Sequence, residues 1–179
     1  MRSQPYSRYA PQSNRSNIER ALEDHDIDYY FMGAELGARP DNPEVFNDGT
    51  VDFRLLGKTK GYVNGIERVL DLANDLSVAI ACTEKDPTTC HRGILICRLL
   101  EAHVDGDSLK HILGSGGLET QTEMTTRLMT DSGLQDTKNQ MSLFDDNEDL
   151  VARSYSIAES KIAWKDPSYV ERTGEHLEH

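Results

Sequence analysis

Between residues 78 and 102 the chain changes character twice, and this stretch limits the possible folds more than any other. Val78 to Cys82 is a continuous apolar run of five residues, too short for a buried helix. It predicts a strand covered on both faces. Turn-forming residues follow, and then Ile94, Leu95, Ile96, Cys97, Leu99 and Leu100 make residues 90–102 apolar nearly all round. That pattern predicts a central, buried helix. A buried strand feeding a buried helix is the repeating step of a parallel sheet.

The rest of the chain supports this reading. Ser16-Asn-Ile-Glu19 has capping-box spacing, and Ile18, Ala21, Leu22 and His25 follow at helical intervals, predicting a helix over 17–25. Ile27 to Met32 is short, β-branched and aromatic, and predicts a strand. Residues 33–58 are dense in Gly, Pro, Asn and Asp and predict a long irregular stretch. Ile66, Val69, Leu70, Ala73 and Leu76 share one helical face. Leu109 to Leu113 predicts a last strand, and Thr120 and Glu123 open a helix that reaches about Met129. Leu150, Val151, Tyr155, Ile157, Ala158 and Ile162 give helical periodicity from Asn147 to Trp164. The expected fold class is α/β, an open parallel sheet flanked by helices. Such a sheet normally opens with a strand, whereas this chain opens with a loop and a helix. The expected organisation is an α/β domain over 1–130, a polar linker over 131–146, a helix over 147–165 and a disordered tail over 166–179. Leu177-Glu178-His179 looks like a tag remnant.

The 179 residues are 37% apolar, enough for one core, and the mean hydropathy of −0.60 implies that part of the chain is solvated. A net charge of −12 argues against broad binding to nucleic acid but allows a small basic cleft. No apolar run approaches a membrane span and residues 1–20 lack a signal-peptide core, so a cytoplasmic protein without a membrane partner is expected. Three cysteines within sixteen residues fit reduced thiols.

Cys90, His91 and Arg92 stand together at the start of the buried helix. Thr88 or Thr89 is expected to cap that helix, leaving Cys90 in its first turn, where free N–H groups favour a thiolate. His91 or Glu84 is then the candidate general acid or base, Cys90 the candidate nucleophile or proton donor, and Arg92 with Lys85 the candidate holder of a phosphate or carboxylate. Zinc would take Cys82, Cys90 and His91 but lacks a fourth ligand, and no Walker loop or G-x-G-x-x-G is present. No metal or cofactor is expected.

Cys82-Thr-Glu-Lys-Asp-Pro-Thr-Thr-Cys-His-Arg92 resembles the C-x-E-K-x-P-x-x-C-H-R signature of a bacterial and archaeal domain of unknown function, family number 488. Arg2-Ser-Gln-Pro-Tyr-Ser-Arg8 is similar to that family's Asp-Val-Arg-Ser-x-Pro-x-Ser motif. Glu35-Leu-Gly37-Ala-Arg39-Pro40 is similar to its Leu-Gly-Gly-x-Pro loop, and His111-Ile-Leu to its His-Ile-Leu strand. Two departures stand out, Gln121 where many relatives carry His and Ala38 in place of the second Gly. The resemblance implies a parallel α/β fold and no established activity. It also implies that Met1 stands where a first strand should end, so that the first strand is expected to be missing. In the flavodoxin-like strand order the loop after that strand neighbours the loop 83–92. This would bring Arg2, Ser3 and Arg8 toward Lys85, His91 and Arg92, forming a cleft for a phosphate, a nucleotide or a nucleic-acid end. An exposed sheet edge would favour a homodimer.

A different class of function is suggested by Gln140-Met-Ser-Leu143-Phe144, which resembles the peptide through which DNA-repair and replication proteins dock on the sliding clamp. Gln140 would supply fixed hydrogen bonds, and Leu143 and Phe144 the apolar anchors.

Overall fold

The computed structural model describes residues 6, 8, 11, 14–134 and 147–169. The chain divides into two compact units, one made of Met1–Thr83 with Trp164–His179, the other of Glu84–Ala163.

In the first unit, helix α1 (Arg15–Glu23) starts after an extended Asn14, one residue before the expected capping box, and buries none of its side chains. His25 falls beyond it, its ring bonded to the Ala21 carbonyl at 3.0 Å. The stretch 33–58, expected to be irregular, is in fact ordered into short elements. These are α2 (Gly33–Leu36), a 3₁₀ turn (Pro43–Val45), strands β1 (Phe46–Asn47) and β2 (Thr50–Val51), and α3 (Phe53–Gly57). Asp48 and Gly49 both have positive φ, 48° and 72°, and join β1 to β2 in a two-residue hairpin. Asp-Gly suits that turn because its backbone twist matches the strands on either side. Asp52 caps α3 by accepting the Arg54 and Leu55 N–H groups at 2.8 and 3.2 Å. Thr59 caps α4 (Lys60–Asp75), whose buried face is Tyr62, Gly65, Ile66 and Val69. A Cβ on Gly65 would lie 2.8 Å from Leu36 Cδ2, so the glycine lets α2 approach. Trp164 packs edge-on against Phe46 with ring centroids 5.8 Å apart, and its carbonyl accepts the Val51 N–H at 3.0 Å.

The second unit centres on the apolar helix. It opens as a π turn over Arg92–Cys97 and narrows to α5 (Arg98–Leu100). Ile94, Leu95, Ile96, Cys97 and Leu100 are all buried, as expected for a central helix. A hairpin of β3 (Lys110–Ile112) and β4 (Leu118–Thr120) follows, then α6 (Gln121–Asp131) and α7 (Asn147–Ile162). Thr120 and Glu123 form the expected capping box. Met129, Leu134 and Leu150 form a buried cluster that ties α6 to α7.

The chain is mixed α/β, but the open parallel sheet is not found. Among the described residues both sheets are two-stranded and antiparallel. Residues 27–32 and 78–82, expected as strands, form no ladder, and Val78 is 41% exposed rather than buried on both faces. The physical reason is that an apolar, β-branched segment becomes a strand only where another lies about 4.8 Å alongside. No described residue supplies that neighbour to either segment.

Gly93 sets how closely the π turn approaches the 3₁₀ turn Pro87–Thr89. A Cβ there would overlap the Pro87 carbonyl oxygen and lie 2.9 Å from its carbon. Gly93→Ala is expected to cost about 1–3 kcal/mol through this overlap. Thermal unfolding followed by circular dichroism checks it; an unchanged midpoint would mean that the two turns separate freely.

Candidate functional site

The segment 84–92 is held from below by Arg127 of α6. Its Nε and Nη2 donate to the two carboxylate oxygens of Glu119 at 2.7 Å each, and its Nη1 and Nη2 donate to Asp86 at 3.3 and 3.1 Å. Glu119 stands on β4 and Asp86 in the segment itself, so one guanidinium joins loop, hairpin and helix. Asp86 also accepts the Thr88 N–H and hydroxyl, both at 2.9 Å, and thereby caps the 3₁₀ turn. Partial burial disfavours its charge, but the Arg127 and Thr88 hydrogen bonds and the Arg127 charge outweigh that and hold its carboxyl below the ordinary value of 3.8.

Neither Thr88 nor Thr89 caps the helix, which opens at Arg92 without a side-chain cap, and Cys90 precedes it rather than lying in its first turn. Cys90 is only 1% exposed. Its Sγ accepts the Arg92 backbone N–H at 3.4 Å and donates to Glu84 Oε2 at 3.4 Å. Glu84 and Lys85 are exposed, and His91 is half-buried. The Lys85 side chain runs over the β3–β4 turn, 3.6 Å from where a Cβ on Gly114 would stand.

The Arg92 side chain turns inward. Its Nε and Nη2 are buried, and neither has a hydrogen-bond acceptor among the described residues. These two nitrogens form one side of the guanidinium, the edge that grips a carboxylate or phosphate with two parallel bonds. Arg127 uses the same edge on Glu119. The Arg92 charge acts on two neighbours. Cys97 is pushed up to about 11 by burial, with Arg92 opposing, so it remains a thiol at neutral pH. His111 is lowered, first by burial and then by the Arg92 charge, so its ring is neutral there.

His111, on β3, is 3% exposed and heads a buried polar chain. Its Nε2 lies 2.6 Å from Gln121 Oε1, Gln121 Nε2 donates to the Tyr155 hydroxyl at 2.8 Å, and that hydroxyl meets Thr125 Oγ1 at 2.8 Å. Arg98 stacks 4.7 Å above the Tyr155 ring. Burial pushes the Tyr155 hydroxyl up to about 12, so it remains a phenol.

Of the residues singled out from sequence, Glu84, Lys85, Cys90, His91 and Arg92 fall together in the second unit. Glu35, Gly37 and Arg39 belong to the first unit. There Glu35 pairs with Arg68 at 3.8 Å, Gly37 has an extended φ of −75° that any residue adopts, and Arg39 is exposed. Arg8 is exposed, also in the first unit. Arg2, Ser3, Gln140, Leu143 and Phe144 lie outside the described residues. Arg127, Glu119 and Asp86 were missed. Arg127 stands on an exposed-looking helix face, and nothing in its local spacing points across 41 residues to Asp86.

The sequence profile of a domain of unknown function, DUF488, matches residues 1–99. The chain belongs to the DUF488 family. The DUF488 match takes in Cys90, Arg92 and the whole π turn, and ends within α5. His111, Gln121 and Arg127 stand beyond the DUF488 span. No curated protein and no solved structure matches the chain. Among the described residues no helix is long and apolar enough to cross a membrane.

Two measurements test the Arg127 clamp. Arg127→Met strands the Glu119 carboxylate, whose side chain is 11% exposed, and is expected to cost about 2–3 kcal/mol in urea unfolding. Asp86 has a lowered folded pKa, so its contribution is complete above the unfolded value near 3.8 and is lost as pH falls through the folded one. Because Asp86 is half exposed, the loss is expected to stay under about 1 kcal/mol. Asp86→Asn should remove that part of the acid destabilisation; an identical acid limb in both proteins would exclude the pairing.

Proposed function

We propose that the second unit binds a compact oxyanion on the side edge of Arg92. The observation that carries this reading is the buried Nε and Nη2 pair, which lacks an acceptor among the described residues. A buried guanidinium edge without a partner is costly, and a bidentate anion offsets that cost. Phosphate and carboxylate both have the required pair of oxygens, and a nucleotide or a nucleic-acid end would present the same group.

Cys90 supports this reading from behind. Its sulfur accepts the Arg92 N–H and donates to Glu84 while almost wholly buried, which fixes the first residue of the π turn. Single-turn π segments recur at functional sites because they re-aim a side chain that a regular helix would place elsewhere. The reading is one of binding rather than of covalent attack by Cys90.

Isothermal titration of the full chain with inorganic phosphate, a mononucleotide and a short 5′-phosphorylated DNA tests it. Binding by the wild type is expected, with loss in Arg92→Ala. Arg92→Lys is expected to bind at least about tenfold more weakly, since an ammonium cannot present two parallel donors. Equal binding by Arg92→Ala, or none by the wild type, would sink the assignment.

A further inference from the structure

Four side chains with metal-binding atoms converge in the stretch that leads into the π turn. Cys82 Sγ, Cys90 Sγ and a ring nitrogen of His91 all lie within 4.8 Å of one another. Glu84 Oε2 is 3.4 Å from the Cys90 sulfur, and the Arg92 backbone N–H donates to that sulfur at 3.4 Å. All of these residues belong to one continuous stretch of chain, 82–92, so the grouping is local to it. Cys90 is buried, Cys82 and His91 are half-buried, and both cysteines are reduced. A buried cysteine with a purely structural role packs as a small apolar group. The Cys90 sulfur instead has a thiol, an imidazole, a carboxylate and a backbone amide around it, which are the surroundings of a ligand atom.

We infer that Cys82, Cys90 and His91 bind a zinc ion, with the Glu84 carboxylate in the fourth position. Zinc bonds of about 2.0–2.3 Å to nitrogen and sulfur set neighbouring ligands of a tetrahedron about 3.3–3.8 Å apart. Atoms already within 4.8 Å reach that spacing through small side-chain rotations. Two sulfurs and an imidazole suit zinc, whereas magnesium and calcium take oxygen ligands. Glu84, already at the Cys90 sulfur, supplies the fourth ligand that the sequence pattern lacks. The ion takes thiolates, so Cys82 and Cys90 each give up a proton to solvent on binding, and Glu84 exchanges its bond to the Cys90 thiol for one to the metal. The Arg92 N–H then donates to a thiolate, the kind of outer contact that steadies a sulfur ligand. The ion closes residues 82–91 into a loop and fixes the entry to the π turn. The inference does not rest on the Arg92 reading, because it uses only the backbone of Arg92.

The test uses the full chain, stripped with a chelator and titrated with zinc at neutral pH in two buffers of different ionisation enthalpy. One zinc per chain is expected, with a dissociation constant below about 1 μM and the release of two protons. Zinc is expected to raise the thermal unfolding midpoint by at least about 5 °C. Cobalt(II) in its place is expected to show sulfur-to-metal charge-transfer absorption and the visible bands of a tetrahedral site. Cys82→Ser and Cys90→Ser are each expected to lose the zinc and that absorption at micromolar metal. Cys82 is half-buried, so its variant keeps the test decisive should Cys90→Ser fail to fold. His91→Gln and Glu84→Gln are each expected to weaken zinc binding at least about tenfold. No zinc binding by the wild type, or cobalt absorption unchanged in Cys82→Ser, would overturn the inference. So would metal bound without the sulfur absorption, since the ion would then sit on other ligands. Unchanged affinity in Glu84→Gln would overturn the part given to that carboxylate.

Discussion

The second unit depends on one guanidinium. Arg127 reaches from α6 to Glu119 on β4 and to Asp86 in the segment that carries Cys90 and Arg92. Without it, the 3₁₀ turn would be tied down by the Thr88 bonds alone, and the hairpin would lose its charged link to the helix. The clamp works because Arg127 is filled on every side: Glu119 takes one edge with two short bonds, Asp86 takes the end, and Asp131 stands 3.9 Å away. Arg92, in the same unit, has the same chemistry with the opposite state of satisfaction. The two arginines thus differ in what surrounds them rather than in residue type.

Close backbone approach is the second constraint. Gly93 lets the π turn settle on Pro87, and this contact joins the two turns that bracket Cys90. The widened helix and the buried thiol are consequences of that approach. They give Arg92 an inward aim, which a surface position at the first turn of a regular helix would not require.

What was legible in the sequence divides along physical lines. The central helix, the Thr120 capping box and the α4 face follow from local periodicity and capping chemistry, which depend on near neighbours in the chain. The strand expectations for 27–32 and 78–82 failed because strand formation depends on a partner, which a local pattern cannot supply. The Asp48-Gly49 hairpin was legible and was overlooked among the turn residues around it. At the site, the grouping of Glu84, Cys90 and Arg92 was visible because they lie within nine residues. The contributions of His111, Gln121 and Arg127 come from elements distant in sequence, and a buried Gln or an exposed-looking Arg carries no spacing signal. The second arginine of the site was also invisible for another reason, since its role is set by Asp86, which reads locally as a turn residue.

The chain has a single tryptophan, Trp164, and it packs on Phe46 in the first unit although its neighbours in sequence, up to Ala163, belong to the second. Its fluorescence therefore reports on the packing of the first unit around Phe46. A denaturation curve read at tryptophan wavelengths follows the β1–β2 hairpin and its surroundings. Probes spread over both units, such as the helical ellipticity, need not give the same midpoint, and a difference between them would measure how far the two units melt as one.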